Sequence, residues 1–244
     1  MGQLRDHQDA YGHALYDCHL GKSAYEIDER DDGYVGVCDV QEYFAAYGAW
    51  PERQREALRD ARGRVLDVGC GAGRHALYLQ QEGFEVLGID TSPLAIEVCR
   101  LRGLREARVA SVTQVSRKLG RFDTIVMLGN NFGLLADPRR GRWLLQRFRT
   151  VTGAGARIIA ETVDPYRTEE AGHLAYHELN RKRGRMAGQI RLRVRYKTYA
   201  TPWFDYLFVS QDEMRGLLGD TGWRVERFVD ADPGGYIAVI CAGA

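Results

Sequence analysis

From residue 64 onward, short apolar runs alternate with stretches whose apolar positions recur every three or four residues. Arg64-Val65-Leu66-Asp67-Val68 is an apolar strand that enters glycines at 69, 71 and 73. A helical pattern follows at once over Arg74–Gln81. A second strand, Phe84-Glu85-Val86-Leu87-Gly88-Ile89, then ends in Asp90. Ser92-Pro93 starts a helix that runs through Leu101, since proline is tolerated in a first turn. Ala107–Ala110 predicts a short strand, and Arg121–Leu128 is the nearly unbroken apolar run of a central parallel strand. Arg139–Arg149 predicts a helix with Trp143, Leu144, Leu145 and Phe148 on its apolar side, and Ala156–Glu161 a fifth strand. Strands and helices alternating at these lengths predict an α/β fold, a parallel sheet wrapped by helices on both faces.

After Glu161 the pattern changes. Gln189–Lys197 alternates apolar and basic residues, the period of a half-exposed strand, and Trp203–Val209 is expected to pair with it. Ser210-Gln211-Asp212-Glu213 is a capping box that opens a helix through Leu218. Gly222–Val229 and Tyr236–Ile240 close the chain as two strands. One domain is expected, divided into an N-terminal helical cover (1–62), a core (63–161), an antiparallel insertion after strand five (162–209) and a C-terminal helix with strands (210–244). No internal repeat or low-complexity linker argues for two.

Composition bounds this picture without redirecting it. The chain has 244 residues, 45% of them hydrophobic, enough to bury a full core. A formal net charge of +1 gives no global argument for nucleic acid or a membrane as partner. No apolar stretch approaches a membrane span, and Met1-Gly2-Gln3-Leu4-Arg5-Asp6 does not read as a secretory signal. Asp6 stands where an acylation site at Gly2 would need Ser or Thr. Cys18, Cys38, Cys70, Cys99 and Cys241 are scattered and form no C-x-x-C pair, so neither a metal site nor a disulfide framework is expected. Reduced thiols in the cytoplasm are the simplest reading.

The candidate chemistry sits at the glycines. They remove side chains that would block a ligand and permit backbone angles closed to other residues. The helix they open presents unpaired N–H groups, and Asp90 is placed to accept both hydroxyls of a ribose. Gly71-Ala72-Gly73-Arg74-His75-Ala76 also satisfies the G-x-G-x-x-A form of a dinucleotide fingerprint. Asp67 separates the two readings, because a pyrophosphate disfavours a nearby carboxylate, whereas a ligand with a cationic amino group welcomes one. S-adenosylmethionine has such an amino group, a ribose and a sulfonium.

Val65-Leu66-Asp67-Val68-Gly69-Cys70-Gly71-Ala72-Gly73, with Val86-Leu87-Gly88-Ile89-Asp90, resembles the class I S-adenosylmethionine-dependent methyltransferases of small-molecule type. The likeness spans roughly Arg64 to Ala160. It implies a Rossmann-like, seven-stranded, mostly parallel sheet with a reversed last strand, S-adenosylmethionine as cofactor, and in-line methyl transfer to a small-molecule acceptor. It further implies that Asp67, Gly69, Cys70, Gly71 and Gly73 line the cofactor's amino acid end, with Cys70 a small neutral filler. Asp90 would bind the ribose, and Thr91 would flank the adenine. Ser111-Val112 stands where many relatives carry an acidic residue for the adenine amino group. Leu128 and Asn130, after the fourth strand, complete the cofactor side, and Asn131 faces the acceptor unless it only turns the chain. The segment is not the Asn-Pro-Pro-Tyr of nucleic-acid amino-methyltransferases.

Downstream of strand five, Glu161 and Asp164 are candidate substrate contacts, and Tyr166, His173 and His177 are candidate catalytic groups. The two histidines are four apart and share a face if their segment is helical. Among Tyr11, Tyr16, Tyr25, Tyr34, Tyr43 and Tyr47, one or two are expected to close over the site; helix packing accounts for the rest. Arg191, Arg193 and Arg195 make either a phosphate-binding ladder or, as the near-neutral total favours, a solvated face balanced by acids. The alternatives are an RNA or protein methyltransferase, a catalytically silent S-adenosylmethionine-binding protein and, disfavoured by Asp67, an NAD-dependent oxidoreductase.

Overall fold

The structure, a computed structural model, describes residues 4–231 and 234–243. Residues 1–3, on which the expectation of neither a secretory signal nor an acylation site partly rests, lie outside the described residues. The N-terminal cover is not wholly helical as expected. It opens on α1 (Ala10–His19), but a hairpin of β1 (Tyr25–Arg30) and β2 (Val35–Asp39) precedes α2 (Glu52–Leu58). The cause lies in Asp31-Asp32-Gly33-Tyr34. Gly33 takes a φ of 91°, and the Asp32 carboxylate accepts from Arg30 Nε at 2.8 Å and from the Tyr34 N–H at 3.3 Å. An Asp-Gly turn between two alternating runs closes a hairpin.

The chain continues through β3 (Val65–Val68), α3 (Arg74–Gln81), β4 (Val86–Asp90), α4 (Pro93–Leu101) and β5 (Glu106–Val109). It then forms β6 (Phe122–Met127), α5 (Pro138–Thr150), β7 (Thr152–Val163) and α6 (Ala171–Lys182). Next come β8 (Gln189–Tyr196), β9 (Tyr199–Ala200), β10 (Phe204–Leu207), α7 (Gln211–Leu218), β11 (Trp223–Ala231) and β12 (Gly235–Ala242). Seven strands make one sheet in the order β11-β12-β7-β6-β3-β4-β5. Strands β3 to β7 pair in parallel, and β12 runs antiparallel to both its neighbours, the reversed last strand.

Period-two alternation splits the core in two. Leu66, Ile125 and Ile158 face a cluster with Leu144, Phe148 and Met214 of α5 and α7. Val65, Val126 and Ile159 face one with Ala57, Leu79 and Ile96 of α2, α3 and α4. Burying each large aliphatic side chain contributes about 1.5–3 kcal/mol, so helices are held on both faces. Side-chain caps set where they begin: Ser92 accepts from the Ala95 N–H at 2.9 Å, Asp137 from that of Arg140 at 2.9 Å, and Ser210 from that of Glu213 at 3.2 Å.

A second, antiparallel sheet of order β10-β8-β1-β2, with β9 on β8, joins the insertion to the N-terminal hairpin. Its outer face carries the arginine ladder, already neutralised: Glu29 accepts from Arg193 Nε at 2.9 Å and from Arg195 at 3.3 Å, and Arg191 lies 3.6 Å from Asp205. Its inner face looks onto the carboxyl ends of the parallel strands. Among the described residues no helix is long and apolar enough to cross a membrane.

Candidate active site

Between β3 and α3 the chain turns through Gly69, Gly71 and Gly73 at φ of 72°, 53° and 78°, left-handed values that cost another residue about 1–2 kcal/mol. Space is short as well. A Cβ on Gly71 would lie 2.6 Å from the Tyr11 hydroxyl, and one on Gly69 would lie 2.6 Å from Asn131 Nδ2. The Asn131 amide donates to the carbonyls of Val68 at 3.1 Å and Gly69 at 2.9 Å. Its NH2 group is thereby committed to holding the turn. Neighbouring Asn130 takes a φ of 63°, and its carbonyl accepts the Tyr206 hydroxyl at 2.6 Å, tying the covering sheet to the floor.

The turn and the cover enclose a cavity of about 940 Å³, at the top of the ~300–1,000 Å³ range of small-molecule clefts. Of the expected cofactor residues, Gly69, Cys70, Gly71, Asp90 and Thr91 line it, as do Ser111, Val112, Leu128 and Asn130. Asp90 accepts the N–H of Gly71 at 3.1 Å and of Ser92 at 2.9 Å. Burial pushes its carboxyl up to about 6, against those two N–H groups. Cys70 fills space under the floor, its Sγ 3.0 Å from where a Gly88 Cβ would be. Ser111 is partly spent on local capping, accepting from the Thr113 N–H at 3.3 Å.

Asp67 and Gly73 do not line the cavity. Strand alternation gives Val68 to the cavity and tucks Asp67 beside the first turn of α3, 2% exposed and with one carboxylate oxygen unpartnered. Burial, then the charge of Asp90, pushes its carboxyl up to about 7, with the Ala76 N–H acting against them. The expected contact from Asp67 to a ligand amino group is thus corrected to a place behind the turn. Gly73 is the left-handed residue that opens α3.

On the acceptor side, Asp164 and Asn131 line the cavity, and Glu161 and Tyr166 do not. Glu161 is a buried clamp, accepting the Gly129 N–H at 2.7 Å, Gln54 at 2.7 Å and Arg53 at 2.9 Å. Tyr166 is 47% exposed and donates to Glu213 at 2.6 Å. The reason is that β7 runs two residues past Glu161, to Val163, so Val163 and Asp164 reach the cavity first and Tyr166 lies beyond it. His173 and His177 both stand on α6 and line the cavity. His173 Nδ1 lies 3.2 Å from Thr168 Oγ1, and burial, then Arg181, holds His177 below the usual imidazole range.

The inner face of the cover holds groups that the sequence reading did not single out. Glu26 and Asp28 of β1 and Cys38 of β2 line the cavity, with one ligand atom from each inside 4.8 Å of the others. Tyr43 donates to Glu26 at 2.5 Å, while the second Glu26 oxygen has no partner. Burial, then Asp28, pushes the Glu26 carboxyl up to about 8. Tyr34, Tyr176, Trp203 and Phe208 add an aromatic wall. Of the N-terminal tyrosines, Tyr11, Tyr34 and Tyr43 reach the cavity. Tyr25 is exposed, Tyr16 packs with the α1 cluster, and Tyr47 stacks on Tyr78 at 4.2 Å. The usable signal was the Asp-Gly turn: it makes Tyr25–Arg30 a strand, and a strand sends Glu26, Asp28 and Arg30 to one face.

Residues 65–155 match the family model described as a methyltransferase domain. A crystal structure of a SAM-dependent methyltransferase from Bacteroides fragilis, in complex with S-adenosyl-L-homocysteine, is 26% identical with a TM-score of 0.86, covering 100% of this chain and 98% of that one. The 2-heptyl-1-hydroxyquinolin-4(1H)-one methyltransferase of Mycobacteroides abscessus is 34% identical over 112 residues, 41% of this chain and 48% of that protein. The glycine/sarcosine N-methyltransferase of Halorhodospira halochloris is 30% identical over 91 residues, 35% of this chain and 34% of that protein. The chain therefore spans less than half the length of these curated relatives.

Proposed function

Since this chain belongs to the class I S-adenosylmethionine-dependent methyltransferases, we propose that it methylates a small-molecule acceptor enclosed beneath its antiparallel cover. The observation that carries this reading is the roofed cavity of about 940 Å³, with a bare-backbone floor on one side and His173, His177 and an aromatic wall on the other. The floor fits the cofactor: left-handed glycines leave room for a nucleoside, and Asp90 presents a carboxylate beside them. Gly69 to Gly71 would hold the amino acid end, Asp90 the ribose, and Thr91, Ser111 and Val112 the adenine. Bound there, S-adenosylmethionine supplies an electrophilic methyl group on a sulfonium.

The protein's own share is alignment and exclusion of water, which supply up to ~7–11 kcal/mol in favourable cases. Asn131 fixes the turn, and Tyr206 ties the cover to the Asn130 carbonyl. His177, kept neutral by burial, is the group placed to take a proton from an acceptor, a role worth ~10²–10⁴-fold. The curated relatives named for a hydroxyquinolone and for glycine or sarcosine support a small acceptor. The neutralised arginine ladder speaks against a nucleic acid. The test is incubation with tritium-methyl-labelled S-adenosylmethionine and either a metabolite extract or total RNA and protein. Label in the small-molecule fraction is expected, and label confined to the macromolecules would overturn the reading.

A further inference from the structure

The groups on the roof of the cavity describe the acceptor. On β1, Glu26 and Asp28 point inward together, with Cys38 opposite Glu26 in the ladder and its Sγ 3.9 Å from Asp28. Two carboxyls share a small volume there, and among the described residues neither has a basic partner. Two of the arginines on the same cavity are engaged elsewhere. Arg30 forks onto Asp32 at 2.8 Å through two nitrogens, and Arg74 donates to the Glu42 carbonyl at 2.9 Å and Gln54 at 3.1 Å. Among the described residues Arg140, whose buried Nε has no partner, and Arg167 make no ion pair with either carboxyl.

A second, independent observation points to a ligand. Glu26 is a lining residue of the cavity that is only 3% exposed, and one of its carboxylate oxygens, itself buried, has no hydrogen-bond partner. Leaving such a group unmatched is unfavourable, and more so if it is charged. The oxygen that is satisfied accepts from Tyr43, so the free one awaits a donor that the protein does not provide. A donor that also carries positive charge would satisfy both carboxyls at once. The same chamber is walled by Tyr34, Tyr176, Trp203 and Phe208, whose bodies suit an apolar skeleton; Arg30 already lies over the rings of Tyr34 and Tyr176, and Arg193 over Trp203.

We propose that Glu26 and Asp28 recognise the ammonium group of an amine acceptor with an apolar or aromatic body. This rests on the methyltransferase reading above and narrows its acceptor to amines. The pair lies close to the cofactor floor: the Tyr11 hydroxyl abuts Gly71, the Tyr11 ring meets Tyr43 edge-on at 5.3 Å, and Tyr43 bonds Glu26.

Calorimetric titration of phenethylamine against phenethyl alcohol tests this, on the protein alone and on the protein loaded with S-adenosylhomocysteine. The two probes match in size and differ in the charged donor. The amine is expected to bind at least about tenfold tighter than the alcohol, and Glu26→Gln or Asp28→Asn to remove that preference. S-adenosylhomocysteine affinity should stay within about threefold of wild type in both variants. Equal binding of amine and alcohol to wild type overturns the proposal, whatever the variants do. So does a tenfold loss of S-adenosylhomocysteine affinity in the variants, which would assign the pair to the cofactor's own ammonium. Zinc added alone, if it bound stoichiometrically and displaced the amine, would also overturn it. Failure of S-adenosylhomocysteine to bind wild type would instead sink the methyltransferase reading, and the titrations on the protein alone would still decide the pair.

Discussion

Replacing Asp90 by Asn removes the charge proposed to grip the ribose while keeping the shape of the side chain. Asp90 already accepts two backbone N–H groups, from Gly71 at 3.1 Å and Ser92 at 2.9 Å. A ribose would add hydroxyl donors to a carboxylate with lone pairs to spare. A hydrogen bond to a charged group contributes about 1.5–3 kcal/mol, so losing one weakens cofactor binding by roughly ten- to more than a hundredfold. The same carboxyl adds a pH signature. Burial raises it from 3.8 to about 6, and two ribose hydroxyls need its ionised form. Affinity is therefore full above pH 6 and falls about tenfold for each unit below it. Adenosine is the cleanest probe, since it has the ribose and lacks the amino acid end whose own titration would intrude. Calorimetry from about pH 5 to pH 8 should show the slope in wild type and its absence in Asp90→Asn. Asp67 and Glu26 also titrate near the site, so a variant that kept the wild-type slope would refute the assignment to Asp90, as would unchanged affinity.

Two further outcomes follow from side chains that the cavity excludes. Asp67 titrates at about 7 in the fold against an ordinary 3.8. A raised carboxyl stabilises the fold in full below pH 4 and loses that contribution as pH climbs toward 7. Asp67→Asn should accordingly gain about 2–3 kcal/mol on wild type between pH 5 and pH 8 in urea denaturation; parallel stability curves would show that Asp67 does not titrate as its burial demands. Tyr166→Phe removes only the surface bond to Glu213, worth about 0–1 kcal/mol, so kcat and KM for whichever acceptor is found should stay within about twofold of wild type. A large fall in kcat would return Tyr166 to the site.

What the residues disclosed in advance follows the range of the forces involved. The glycine turn was legible because left-handed φ at positions 69, 71 and 73 is a local demand that few residues meet. The parallel core was legible because period-two alternation divides Leu66, Ile125 and Ile158 from Val65, Val126 and Ile159. The cover was half legible: β8 shows its own alternation, but its partner β1 lies some 160 residues earlier, and nothing local marks Arg193 for Glu29. Glu161 and Tyr166 were misplaced because a buried strand carries no signal for its last residue, and two extra residues of β7 moved both. Asp67 was misplaced by its neighbours, since standing beside a ligand-binding turn does not settle to which side of a strand a carboxylate points. Glu26 and Asp28 looked like any acidic pair until the Asp-Gly turn made their segment a strand.

The pairing of β1 with β8 also dictates an order of assembly. Closing a ladder across so long a stretch of chain carries an entropy cost that only the finished core offsets, and a lone two-stranded ribbon is marginal in water. A growing polypeptide would thus display its nucleoside cradle bare to solvent until β8 had been made, some 160 residues after β1, and only then gain a ceiling.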